Sequence, residues 1–168
     1  MEQGYNVVYY MITKVNCYNR KEQTEIARRV LKYILDYISC EFPEIDVSKN
    51  GKPYFVNSDI YFNYSHSKNY IACAVSNHEI GIDIEETTRY ISDKVSKKYL
   101  ENESDMIGRL EKWVRKEAYS KLKGLGLSMK FETINLDEIV NKNLFISNDA
   151  YMCAIYSDCE DAVFKEVK

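Results

Sequence analysis

The sequence predicts an α+β protein built as two similar halves, each a helix packed on a small, mostly antiparallel sheet. Three observations point there. Helical periodicity recurs once in each half, in TEIARRVLKYILDYISC (24–40) and MIGRLEKWVRKEAYSKLKG (106–124). Short β-rich runs surround both segments. A shift of 81 positions also lays YIACAVSNHEIGIDIE (70–85) on YMCAIYSDCEDAVFKE (151–166) without a gap, and a shift of 80 lays RVLKYI (29–34) on RLEKWV (109–114). Matches this short arise from shared hairpin composition or from two fused copies of one α+β unit, the first over 1–86 and the second over 87–168. In the second case Asp83 falls opposite Phe164, so whatever Asp83 does is done once.

Taken in order, YNVVYYMI (5–12) reads as a strand rich in tyrosine and valine. In the first helix Ile26, Val30, Ile34 and Ile38 recur at steps of four beside Leu31 and Leu35, one apolar stripe. SKNGKP (48–53) is turn chemistry around Asn50 and Gly51, with Pro53 excluding a helix. YIACAVS (70–76) and EIGIDIE (79–85) are strands separated by Asn77 and His78, which predicts a tight hairpin. A helix near ISDKVSKKYL (91–100) precedes the stronger one at 106–124, and LFIS, YMCAIYS and AVFKEV close the chain as strands.

Bulk properties narrow the function. A chain of 168 residues with 45% hydrophobic and 29% charged residues, 2 prolines and 6 glycines has the profile of a packed domain. A net charge of −3 argues against a general nucleic-acid or membrane-surface binder. The five cysteines, Cys17, Cys40, Cys73, Cys153 and Cys159, show no C-x-x-C pair, and Cys73 and Cys153 sit in apolar runs, as expected in a reducing cytoplasm. We expect no signal peptide and no membrane span. His66 and His78 lack cysteines at zinc-ligand spacing.

Candidate chemistry lies in four segments. In GIDIE (81–85) Asp83 and Glu85 leave one strand face while Ile82 and Ile84 leave the other, which fits a half-buried edge strand as well as a functional pair. Trp113, Glu117 and Lys121 form one line along a helix; the Glu–Lys spacing alone suits a solvated pair, but the only tryptophan in that line suggests a covered face. Were Glu117 to approach Asp83 and Glu85, three carboxylates would repel unless a hard cation such as Mg²⁺ sat among them, with Lys121 reaching a phosphate oxygen. GKP (51–53) and FNYSHS (62–67), the latter following a strand, add a glycine, a lysine, an amide, hydroxyls and an imidazole able to donate to oxyanions. Ser65 and His66 also fit a plain turn, and Ser65 or Ser67 as a nucleophile lacks an elbow around it.

GKP, FNYSHS, GIDIE and WVRKEAYSKLKGLGLS, in this order and at these separations, resemble the 4'-phosphopantetheinyl transferases of the type that activates the surfactin synthetase. The resemblance covers roughly residues 24–166. It implies a pseudodimer with one active site between its halves. It further implies transfer of the phosphopantetheine arm of coenzyme A, the co-substrate, to a serine of an apo acyl or peptidyl carrier protein, releasing adenosine 3',5'-bisphosphate. By that resemblance Asp83, Glu85 and Glu117 hold Mg²⁺ (or Mn²⁺), Glu117 is the candidate base and Lys121 stabilises the leaving phosphate. Gly51, Lys52, Pro53, Tyr64, Ser65, His66, Lys116 and Lys121 form the coenzyme A site, and Gly124 and Gly126 end the helix. The chain is short for the type, with a trimmed lead-in and a compressed segment between Glu85 and Trp113. Arg20, Lys21, Arg28 and Arg29 are therefore unranked candidates for the 3'-phosphate. Lys94, Lys97 and Lys98 form a basic helix face that suits either solvent or an acidic carrier.

Two other readings stand beside the transferase: a coenzyme A-binding module without turnover, and a Mg²⁺-dependent nucleotide phosphohydrolase. A fused pseudodimer needs no second chain, so a monomer is expected.

Overall fold

The computed structural model describes residues 6–16, 19–124 and 130–168; Cys17 and Gly126 lie outside them. The fold is mixed α and β. Its elements, in chain order, are β1 (Val7–Lys14), α1 (Arg20–Tyr37), β2 (Ile45–Val47), β3 (Pro53–Phe55), β4 (Tyr61–His66), β5 (Tyr70–Ser76), β6 (Ile80–Glu86), α2 (Asp93–Tyr99), α3 (Met106–Lys123), β7 (Lys142–Ser147), β8 (Tyr151–Ser157) and β9 (Val163–Glu166). None of the described helices is long and apolar enough to cross a membrane.

Local chemistry sets the helix limits. Asn19 caps α1 by accepting from the Glu22 backbone N–H at 3.0 Å, so the helix begins four residues before the apolar stripe suggests. Its buried face is Ala27, Val30, Leu31, Ile34 and Leu35. Asp105 caps α3 through the Gly108 N–H at 2.8 Å, and Gly124 stops it in the left-handed region at φ 64°.

The strands form a four-stranded sheet in the order β4-β5-β1-β9, a three-stranded sheet in the order β6-β8-β7, and the short pair β2-β3. β5 pairs antiparallel with β1 and β4, β9 runs parallel to β1, and β6 and β7 flank β8 antiparallel. Asn77 and His78 therefore do not close a hairpin, contrary to the sequence expectation: β5 stays in the first sheet, while β6 crosses to pair with β8. The reason is the face chemistry of GIDIE. Ile82 and Ile84 are fully buried in a cluster with Val8, Tyr10, Ala72 and Ala74 of the first sheet and Cys153 and Ile155 of the second. Burial of each isoleucine contributes about 1.5–3 kcal/mol, and that gain requires β6 to lie across the first sheet rather than beside β5.

A layered arrangement follows. One core joins α1 to the first sheet through Leu31, Ile34, Phe55 and Phe62, the second lies between the sheets, and the third joins α3 to the second sheet through Leu110, Val114, Ala118 and Met152. The two hairpins share one register. Tyr61 pairs with Ser76 and His66 with Ile71; Lys142 pairs with Ser157 and Ser147 with Met152, so the second pairing repeats the first 81 positions on (61 to 142, 66 to 147). Cys73 and Cys153 are buried free thiols whose ionisation burial pushes well up, which makes them packing groups rather than nucleophiles.

Candidate active site

β6 leaves its carboxylates on the face turned toward α3, and Gly81 decides how close that helix comes. A Cβ at Gly81 would lie 2.1 Å from the Ala118 carbonyl oxygen and 2.2 Å from the Leu122 backbone nitrogen. Only glycine admits the backbone of α3 this near, and Ala118 and Leu122 are the neighbours of Glu117 and Lys121. The glycine of GIDIE thus sets the distance between the two halves of the acidic cluster.

β4 fixes the other side. Its alternate residues reach β6 by side chain where no strand ladder joins them: Asn63 Oδ1 accepts from the Ile82 N–H at 3.0 Å, and Ser65 Oγ donates to Asp83 Oδ1 at 2.8 Å. Just past the strand, Ser67 Oγ lies 3.4 Å from Glu85 Oε2 and accepts from the Glu86 N–H at 3.1 Å. FNYSH therefore belongs to a strand itself rather than following one, with Ser67 just beyond it. The period-2 pattern of Asn63, Ser65 and Ser67 forms a polar seam.

A cleft of about 430 Å³ opens above this seam. It is lined by Gly51, Lys52, Pro53, Tyr64, Ser65, His66, Asp83, Glu85, Glu117 and Lys121, and so brings together every site residue expected from the sequence except Lys116. Lys116 precedes Glu117 by one residue, about 100° round the helix. Its side chain is fully buried, and its ammonium donates to the Tyr99 carbonyl oxygen at 2.7 Å and to Glu101. Its expected place on coenzyme A is corrected accordingly: it ties α3 to the end of α2.

Charge in the cleft is tightly paired. Lys121 Nζ donates to Asp83 Oδ1 at 2.7 Å and to Ser65 Oγ at 2.9 Å. Lys52 lines the cleft, but its ammonium is held by Glu79 at 2.7 Å. Asp83 Oδ2 is buried with no hydrogen-bond partner among the described residues. Leaving a carboxylate oxygen so costs about 1–3 kcal/mol or more, so this atom is suited to receive a cation or donor. Burial, then the charge of Asp83, push the Glu117 carboxyl above the usual range, with Lys121 and Arg89 pulling back. Burial, then Lys121 and Arg20, hold the His66 imidazole below its ordinary value, favouring the neutral ring at neutral pH.

Loop geometry completes the cleft. Gly51 sits at φ 84°, donating its N–H to the Ser48 carbonyl at 2.9 Å, and Asn50 Nδ2 donates to the Gly124 carbonyl at 3.1 Å, fastening the GKP turn to the end of α3. Arg20 lines the cleft, unlike Lys21, Arg28 and Arg29. Sequence reasoning counted Asn63 only as the amide of FNYSHS and missed Thr24, Asn50 and Arg89 as lining residues. Nothing local signalled Arg89, which arrives by a turn after β6. As the motifs stand, no three His, Cys, Asp or Glu side chains among the described residues are grouped to ligate one ion; Lys121 and Arg89 hold Asp83 and Glu85 instead.

No family model matches the chain. It is similar to the 4'-phosphopantetheinyl transferase gsp of Aneurinibacillus migulanus, with 34% identity over 122 residues, covering 65% of this chain and 51% of that protein. With the 4'-phosphopantetheinyl transferase Sfp of Bacillus subtilis (strain 168) it shares 30% identity over 117 residues, 62% of this chain and 50% of the relative. With the 4'-phosphopantetheinyl transferase HetI of Nostoc sp. it shares 32% over 129 residues, 65% and 54% respectively. The similarity to 4'-phosphopantetheinyl transferases thus covers well over half of this chain, while the chain spans about half the length of the curated relatives it matches.

Proposed function

We propose that the chain transfers the 4'-phosphopantetheine arm of coenzyme A to a serine of an apo acyl or peptidyl carrier protein, releasing adenosine 3',5'-bisphosphate. The observation that carries this reading is the convergence of Asp83, Glu85, Glu117, Lys121 and Ser65 in one cleft that also receives the GKP turn and Arg20. The serine oxygen bonds to the phosphorus carrying pantetheine as the anhydride P–O bond breaks. Glu117 takes the serine proton. Lys121 shifts from Asp83 toward the leaving phosphate oxygen, placing its charge where negative charge grows. Neutral His66 donates to a phosphate oxygen, and Arg20 is the best placed of the basic candidates to face the 3'-phosphate.

The orphaned Asp83 Oδ2 and the all-oxygen donor set suit Mg²⁺ or Mn²⁺. Asp83, Glu85 and Glu117 would hold that ion, which when bound neutralises pyrophosphate charge and orients the attacked phosphorus. The repeated hairpin register supports a pseudodimer of two strand–helix–hairpin units; taking β6 as the first strand of the second unit puts their boundary before Ile80 rather than after residue 86. A single fused site fits a monomer, and the buried reduced thiols fit a cytoplasmic protein.

Incubating the protein with coenzyme A, Mg²⁺ and several apo carriers, then weighing the carriers by mass spectrometry, tests the reading. A carrier that gains the phosphopantetheine mass supports it. Coenzyme A binding without any mass gain overturns it in favour of a binding module, and coenzyme A cleavage without a carrier overturns it in favour of the hydrolase.

A further inference from the structure

Arg89 is aimed into the cleft by a fixed turn. Three residues beyond β6, its backbone N–H donates to the Glu86 carbonyl at 2.9 Å. Thr87 pins the same turn to the loop between β7 and β8, its N–H donating to Ala150 O at 3.1 Å and its hydroxyl to Asp149 O at 2.7 Å. The side chain then folds back over its own strand and pairs with Glu85. Its guanidinium carbon also lies 5.1 Å from the ring centroid of Trp113, one turn before Glu117 on α3. Arg89 is 40% exposed and Glu85 only 13%, so the guanidinium covers the acid from the solvent side. It therefore has two partners, a carboxylate and an aromatic face.

We propose that Arg89 is a positioning residue that holds Glu85 in the cation-free cleft, competes with a divalent cation for that carboxylate, and withdraws onto Trp113 when the cation takes it. This rests on the reading of Asp83, Glu85 and Glu117 as the cation-holding set. A guanidinium and a divalent cation repel each other and draw on the same lone pairs. The ring face gives the displaced guanidinium a second place of rest, a role for which its planar, weakly hydrated head is suited. Removing the competitor strengthens cation binding, the opposite of what a merely structural lesion does.

The test is Mn²⁺ binding to the intact protein, read by the electron paramagnetic resonance signal of the free ion, in the wild type and in Arg89→Ala. The substitution tightens Mn²⁺ by roughly 1.5- to fivefold, the range expected for losing one partly exposed ion pair. Mg²⁺ also changes the emission of Trp113, the sole tryptophan, in the wild type but not in Arg89→Ala. Arg89→Lys keeps the charge but fits the ring less well, and it gives an affinity between the two. Unchanged or weaker Mn²⁺ binding in Arg89→Ala overturns the competition while leaving the cation site standing. Absence of Mn²⁺ binding in both proteins overturns the cation site and, with it, this inference.

Discussion

The two hairpins share a register yet present different chemistry to their surroundings. On β4, Asn63 and Ser65 form the polar seam to β6, whereas the positions 81 residues on, Leu144 and Ile146 of β7, pack into the apolar cluster between the sheets. The strands beside the hairpins diverge similarly. Met11 pairs with Cys73, and Asp83 pairs with Ala154, the residue 81 positions after Cys73, so Asp83 stands where the first sheet has a methionine. By the same reckoning Gly81 stands where the first sheet has Tyr9. One scaffold thus supports packing in one place and, through two polar residues, an acid and a glycine, a reactive cleft in another.

Substitutions that exchange these roles probe the difference. The largest effect is expected for Asp83→Ala, which removes the partner of both Lys121 and Ser65. Transfer to an apo carrier falls by about 10³-fold or more, while circular dichroism remains that of the wild type; retained transfer assigns the cleft's chemistry elsewhere. Met11→Ala in the matching place lowers stability without lowering transfer in the folded fraction.

Next comes Gly81→Ala. The added methyl group meets α3 backbone, which gives way only by moving the helix. Thermal unfolding should reveal a loss of about 1–3 kcal/mol, with transfer falling further than stability because Glu117 and Lys121 shift together. A variant with wild-type melting and wild-type rate would mean that α3 has freedom to move.

Glu117→Gln gives a pH signature. With its folded value raised above the unfolded one, Glu117 in its protonated form favours the folded state, and that contribution is lost as pH rises through the raised folded value. Without divalent ion, the Gln variant should therefore melt higher than the wild type at neutral pH and match it in acid. Equal melting of the two proteins at neutral pH without divalent ion would contradict the raised value.

The smallest effects separate the seams. Ser65→Ala removes one hydrogen bond to Asp83 and costs about 1 kcal/mol of stability, with a loss of transfer read by the same carrier assay. Ile146→Ser buries a hydroxyl among apolar neighbours, costs about 1–3 kcal/mol, and leaves the transfer rate of folded protein unchanged.

Periodicity was legible from the sequence where one element satisfied it alone. The apolar stripe of α1, the strand nature of GIDIE and the stop at Gly124 follow from residues within a few positions of each other. The 81-residue shift likewise aligned β5 with β8, one strand of each hairpin, but stopped short of their partners β4 and β7. Sheet membership was not legible, because Asn77 and His78 suit a hairpin and only the fit of Ile82 and Ile84 between two sheets sends β6 to β8. The cleft residues emerged because their motifs carry polar groups in short runs. Lys116 was misplaced because adjacent residues on a helix share a motif but not a face. Arg89 escaped notice because its partners, Glu85 and Trp113, meet it only after the chain turns back on itself.

The central claim is that the chain holds one coenzyme A cleft, in which β6 and α3 face β4, the GKP turn and Arg20. Calorimetric titration of coenzyme A in the presence of Mg²⁺ tests this most directly by counting binding sites per chain. One coenzyme A per chain, with binding impaired by Arg20→Ala or His66→Ala, is the predicted result. Two per chain would give each unit its own cleft, and one per two chains would make the site shared between molecules; either stoichiometry contradicts the account.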